Sequence, residues 1–155
     1  MDTNNDKRAR VVVPGTFDIL HDGHKRLLDY AFDIGDVTVT INSCEFSKEL
    51  GKELYESDES RKSAIKDYAE LRKQYCEVYV VNSEEESLQR TLDKTPCFRL
   101  TGNDWDLQKT SDRCGVEETF WEDHNIYLIY KDRLPNINST QLRDAITNTN
   151  RLRTN

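Results

Sequence analysis

Short apolar runs rich in β-branched residues alternate along this chain with stretches whose apolar positions recur every three or four residues. The first run, Arg10–Val13, holds Val11-Val12-Val13 and reads as a buried strand. Leu27, Leu28, Ala31 and Ile34 then mark the apolar face of a helix over roughly Gly23–Phe32, stopped by Gly35. Val37–Asn42 is a second β-branched strand. Ser43–Ser57 is polar, charged and without period, and reads as a mobile loop. A helix capped by Ser57 or Asp58 runs from there to about Tyr75, and a third strand follows at Glu77–Val81. Ser83 caps a short helix through Leu92, and Phe98–Leu100 is a fourth strand. Leu107–Cys114 is a weaker helix or loop, Ile126–Tyr130 a fifth strand and Asn138–Ile146 a final helix. Such alternation predicts an α/β fold, a doubly wound parallel five-stranded sheet in a single domain over 10–147, with flexible ends at 1–9 and 148–155.

Composition narrows the partners. The 155 residues fit one domain, and 33% of them are charged against 35% hydrophobic. No run approaches the ~18 apolar residues of a membrane span. The first ten residues lack the apolar core of a signal peptide, so a cytoplasmic protein with no membrane partner is expected. A net charge of −7 argues against nucleic acid, which needs a basic footprint. Small anions remain possible where basic groups gather in one cleft. Cys44, Cys76, Cys97 and Cys114 lack the short spacings of a zinc site, and Cys76 and Cys97 read as small core residues beside strands.

The chemistry concentrates where the first strand ends. Gly15-Thr16-Phe17-Asp18 forms a turn, and His21 and His24 follow three residues apart around Gly23. A strand that delivers the chain to a turn and a helix start suits a triphosphate, because backbone N–H groups and the positive helix end can face the anion. Residues three apart share a helical face, so both imidazoles can donate to phosphate oxygens. Histidines near a helix start are also common as caps. Gly102-Asn103-Asp104-Trp105 follows strand four, and Arg133 leads to Asn138-Ser139-Thr140 at the last helix start. Those three side chains suit capping and a phosphate cradle alike. Ligands of open α/β sheets bind beyond the carboxyl ends of the strands, so these three segments are expected to converge on one cleft.

The sequence Gly15-Thr16-Phe17-Asp18-x-x-His21-x-Gly23-His24 resembles the signature of the nucleotidyltransferase superfamily that includes cytidylyltransferases and phosphopantetheine adenylyltransferases. Ile137-Asn138-Ser139-Thr140-Gln141-Leu142-Arg143 resembles its second motif, with Asn138 in place of a Ser. Gly102-Asn103-Asp104-Trp105, Glu45-Phe46 and Tyr55-x-Ser57-x-x-x-Arg61-Lys62 are similar to the branch that acts on glycerol 3-phosphate. The resemblance covers about Val11 to Ile146 and implies a Rossmann-like nucleotidyltransferase fold.

It also implies direct transfer from a nucleoside triphosphate to an alcohol phosphate, with pyrophosphate leaving. By position, His21 and His24 are the catalytic phosphate binders, joined by Lys52 and Arg133. Ser139 and Thr140 would cradle the outer phosphates, and Lys52 and Arg72 would bind substrate. Gly15, Thr16, Phe17, Asp18, Gly23, His24, Gly102, Asn103, Asp104, Trp105, Arg133 and Asn138 complete the nucleotide site. CTP is favoured by Gly102–Trp105 and glycerol 3-phosphate by overall likeness, giving CDP-glycerol. The missing Thr-Glu after Arg133, and Arg143, keep ATP and an adenylyltransferase open as the alternative. A non-catalytic nucleotide-binding module is a further alternative, against which both histidines are retained. Mg²⁺ would arrive with the triphosphate and not on a protein metal site. A homodimer is expected from the resemblance alone.

Overall fold

The computed structural model describes residues 8–131. Its elements are β1 (Ala9–Gly15), α1 (Asp22–Ile34), β2 (Gly35–Asn42), α2 (Cys44–Glu49), α3 (Asp58–Leu71), β3 (Cys76–Val81), α4 (Glu84–Leu92), β4 (Cys97–Thr101), α5 (Leu107–Cys114), α6 (Phe120–Asp123) and β5 (Ile126–Tyr130). Among the described residues the five strands form one parallel sheet, ordered β3-β2-β1-β4-β5. This is the doubly wound α/β arrangement that the alternation predicted. The strand order reverses between β1 and β4, so the switch point lies at the carboxyl end of the central strand.

Helices on both faces explain why β1 is apolar without alternation. Val11 and Val13 pack into a core with Leu28, Ala31, Ile65 and Phe98, beneath α1 and α3. Val12 points to the other face, against Cys97, Trp121 and Ile126. All three valines are fully buried. Cys76 and Cys97 are buried core residues, and burial pushes both thiols up to about 12.

Several boundaries differ from the sequence reading. The segment read as a mobile loop contains α2, whose six residues are too few to show a period. Ser43 caps it by accepting from the Phe46 amide at 3.0 Å, and Phe46 is buried. Gly35 ends α1 as its C-cap, as expected, and is at the same time the first residue of β2, paired with Ala9. A side chain there would collide with the Ala9 carbonyl, so Gly permits α1 to pass straight into the sheet. Ala9 itself is buried in β1, inside the stretch expected to be a flexible terminus. Helix α3 ends at Leu71, earlier than the expected Tyr75, and α6 was not anticipated. The final helix, Asn138–Ile146, lies outside the described residues.

Candidate functional site

Strand β1 runs out through Pro14 and Gly15 into a turn held by Phe17, which is buried although its φ is 55°. His21 is not inside the first helical turn as its spacing suggested; it is the N-cap of α1. Its Nδ1 accepts from the amides of Gly23 at 3.0 Å and His24 at 3.4 Å. The His21 amide in turn donates to His24 Nδ1 at 3.3 Å, which closes a capping box built from two imidazoles. The rings stack with centroids 3.7 Å apart and planes 19° from parallel.

This network fixes the chemistry of both rings. A nitrogen that accepts from an amide keeps its lone pair, so in each neutral ring the proton sits on Nε2. Burial, and then the neighbouring His21, lower the His24 pKa to about 4 against a smaller opposing pull from Asp18. At neutral pH His24 is therefore an uncharged donor. The expectation that the first amides of the helix face the ligand changes accordingly: His21 already occupies the Gly23 and His24 amides, and the Nε2–H groups are left to donate. Gly23 is required for this, because a Cβ there would lie 2.9 Å from His21 Cε1 and 3.1 Å from its Nδ1.

Thr16, Phe17 and His24 form the common wall of a two-lobed cleft. One lobe, about 240 Å³, adds Gly15, Gly23, Arg26, Gly102, Asn103, Asp104 and Lys131. The other, about 430 Å³, adds Asp18, His21, Lys52, Glu53 and Leu54. Two of the three segments expected to converge thus meet at the switch point, and Lys52 joins them from beyond α2. Arg133, Asn138, Ser139 and Thr140, with Arg143, lie outside the described residues.

Two predicted residues stand elsewhere. Trp105 is absent from both lobes; its ring lies 5.1 Å from the Arg113 guanidinium. Arg72 caps the C-terminus of α3 and pairs with Asp29 at 3.3 Å. A helix joining parallel strands returns the chain to their amino edge, so the end of α3 is carried away from the cleft.

Other residues were missed. Arg26 and Lys131 line the smaller lobe, and only the place of Lys131 directly after β5 could have pointed to it. Arg61 is completely buried, where a surface role is the usual expectation for Arg. Its Nη1 donates to the Thr16 carbonyl at 2.9 Å and the Asn42 carbonyl at 2.7 Å, and its Nη2 reaches Asp58 at 2.6 Å. It thereby ties the turn after β1 to the end of β2 and the start of α3. Asp18 accepts the Tyr55 and Glu56 amides with its two oxygens.

Comparison with known proteins gives consistent relatives. A family model described as cytidylyltransferase-like matches residues 12–145. Glycerol-3-phosphate cytidylyltransferase of Bacillus subtilis (strain 168) is 29% identical over 140 residues, covering 88% of this chain and 96% of that enzyme. Phosphopantetheine adenylyltransferase of Methanopyrus kandleri is 39% identical over 77 residues, 49% of each chain. Among solved structures, the lipopolysaccharide core biosynthesis protein from Thermoplasma volcanium superposes with a TM-score of 0.54 at 24% identity, covering 79% of this chain and 97% of that one. Pantothenate synthetase from Thermus thermophilus gives 0.52 at 12% identity, covering 92% and 67%. At those identities the structural likeness speaks for the Rossmann-like fold alone.

Proposed function

Since this chain belongs to the cytidylyltransferase-like family of nucleotidyltransferases, we propose that it transfers a cytidylyl group from CTP to glycerol 3-phosphate, a small alcohol phosphate, giving CDP-glycerol and pyrophosphate. The observation that carries this reading is the pair of stacked imidazoles at the two-lobed cleft, His24 on the wall that both lobes share and His21 on the larger one. An acceptor phosphate oxygen attacks the α-phosphorus, the bond to the bridging oxygen breaks, and pyrophosphate leaves with that electron pair. No covalent intermediate with the protein is needed. Charge grows on the oxygens of the α-phosphate during the attack, and the His21 and His24 Nε2–H groups donate to them. Lys52 approaches from the larger lobe, with Arg26 and Lys131 on the smaller one, so that acceptor and triphosphate are held from opposite sides.

Mg²⁺ belongs to the substrate in this scheme. Among the described residues no cluster of three His, Cys, Asp or Glu could hold an ion, and both Asp18 oxygens are engaged by amides. The ion would neutralise the phosphates of CTP, which is its usual mode with triphosphates.

Full-length coverage of the glycerol-3-phosphate enzyme of Bacillus subtilis supports the choice of substrates. A second reading, transfer from ATP, draws on the higher identity of the shorter matches to adenylyltransferases. A thermal-shift comparison separates them. At 100 times Kd a ligand stabilises by about 2.7 kcal/mol, which raises Tm by roughly 5–10 °C for a chain of this size. CTP is expected to produce that shift and ATP at equal concentration to produce little; the reverse order refutes the cytidylyl reading.

A further inference from the structure

We propose that Glu56 is a positioning residue that couples the turn carrying His21 to the segment carrying Lys52. Its geometry stands by itself, while its consequence for catalysis rests on the transfer reading above. Residues 18–19 and 55–56 exchange backbone donors for each other's carboxylates. The Tyr55 and Glu56 amides donate to Asp18 Oδ2 and Oδ1 at 2.9 and 3.0 Å. The Ile19 amide donates back to Glu56 Oε1 at 2.8 Å. Glu56 Oε2 is held in turn by the Ser60 hydroxyl at 3.1 Å, in the first turn of α3.

The backbone shows why such a clamp is needed. Asp18 sits between two residues at positive φ, Phe17 at 55° and Ile19 at 53°. A β-branched residue in that region is an outlier, and it persists only where its surroundings over-determine it. Burial cannot supply the constraint at Ile19, a residue that is 52% exposed. The Glu56 carboxylate holds its amide instead. Ile19 lies two residues before the His21 cap, and Glu56 lies two residues after Leu54, which lines the larger lobe with Lys52. Glu56 therefore acts with Asp18 to set the spacing between the turn that carries His21 and the segment that carries Lys52.

The test is a kinetic cycle with an exchange measurement beside it. Glu56→Ala and Glu56→Gln are made in the wild-type and Lys52→Ala backgrounds and assayed with CTP and glycerol 3-phosphate. Glu56→Ala is expected to lower kcat/KM about tenfold, the scale of one hydrogen bond. Gln retains a carbonyl for the Ile19 amide and should restore most of that loss. With Lys52 already removed the effect should shrink to about twofold, because coupled sites are non-additive. Amide exchange followed by NMR should quicken together at Ile19, Tyr55 and the residue at position 56 in the Ala variant. Equal losses in both backgrounds, no rescue by Gln, or faster exchange confined to Ile19 overturns the proposal. If the wild-type chain turns over neither CTP nor ATP, the transfer reading falls, and the exchange result alone decides whether the two segments are coupled.

Discussion

Replacing Gly23 by Ala should leave stability almost untouched and abolish most activity, and the separation follows from the capping box. The new methyl carbon would lie 2.9 Å from His21 Cε1, closer than real contacts allow, and a tight 3.1 Å from Nδ1, so the ring must shift. Two hydrogen bonds to the Gly23 and His24 amides are lost with it. Loss of an N-cap costs about 1 kcal/mol. Ala in place of Gly within a helix returns up to about 1 kcal/mol. The two nearly cancel, so Tm should move by no more than roughly 2–4 °C. Catalysis has no such compensation, because Nε2 leaves the position that the stacked arrangement fixes. Removing one transition-state donor lowers turnover by about 10²–10³. Pyrophosphate release from CTP and glycerol 3-phosphate, measured beside differential scanning fluorimetry, tests both halves. Activity within a few-fold of wild type, or a Tm lower by about 10 °C or more, would refute the argument that Gly23 serves the ring.

Three further outcomes follow from the same geometry. His21→Asn keeps a good cap residue and should hold Tm near wild type, while turnover drops at least ~10²-fold; recovery of activity by Asn would show that the cap is all His21 provides. The His24 pKa of about 4 lies below its unfolded value of 6.5, so the unfolded chain takes up the proton first. Stability from this residue is then fully present above pH 6.5 and lost as pH falls towards 4, and His24→Gln should flatten the Tm decline across that window. Gly35→Ala should destabilise strongly, since the Cβ meets backbone at Ala9, and a Tm unchanged by that substitution would contradict the direct passage from α1 into β2.

The fold was legible because the pattern follows burial. Three consecutive valines needed cover on both faces, and that requirement implied a parallel sheet wrapped by helices. Ser57 and Ser83 were legible as caps because a small hydroxyl before a polar turn leaves few alternatives. Residues whose roles depend on direction were not legible. Arg61 lies within α3 and Arg72 caps its end, and they differ little as letters; yet one is buried at the cleft end and the other is exposed at the opposite end. Choosing Arg72 as a substrate ligand required knowing which end of α3 faces the strand termini. Likewise α2 depends on the tertiary burial of Phe46, which six residues of sequence cannot display.

Charge placement explains how an acidic chain can serve a polyanion. Arg61 is consumed internally, and Arg8, Arg72 and Lys94 are paired with carboxylates away from the cleft. The cations of the two lobes, Lys52, Arg26 and Lys131, lie at their walls, while the shared wall carries a neutral imidazole. A fixed positive charge that meets the triphosphate equally in the ground state and the transition state strengthens binding without speeding the chemical step. In the proposed reaction a neutral N–H that donates to the α-phosphate gains most as charge develops there. Making His24 cationic would strengthen the hold on leaving pyrophosphate as well as on substrate. Burial and the neighbouring His21 keep that imidazole uncharged at neutral pH in the ligand-free chain.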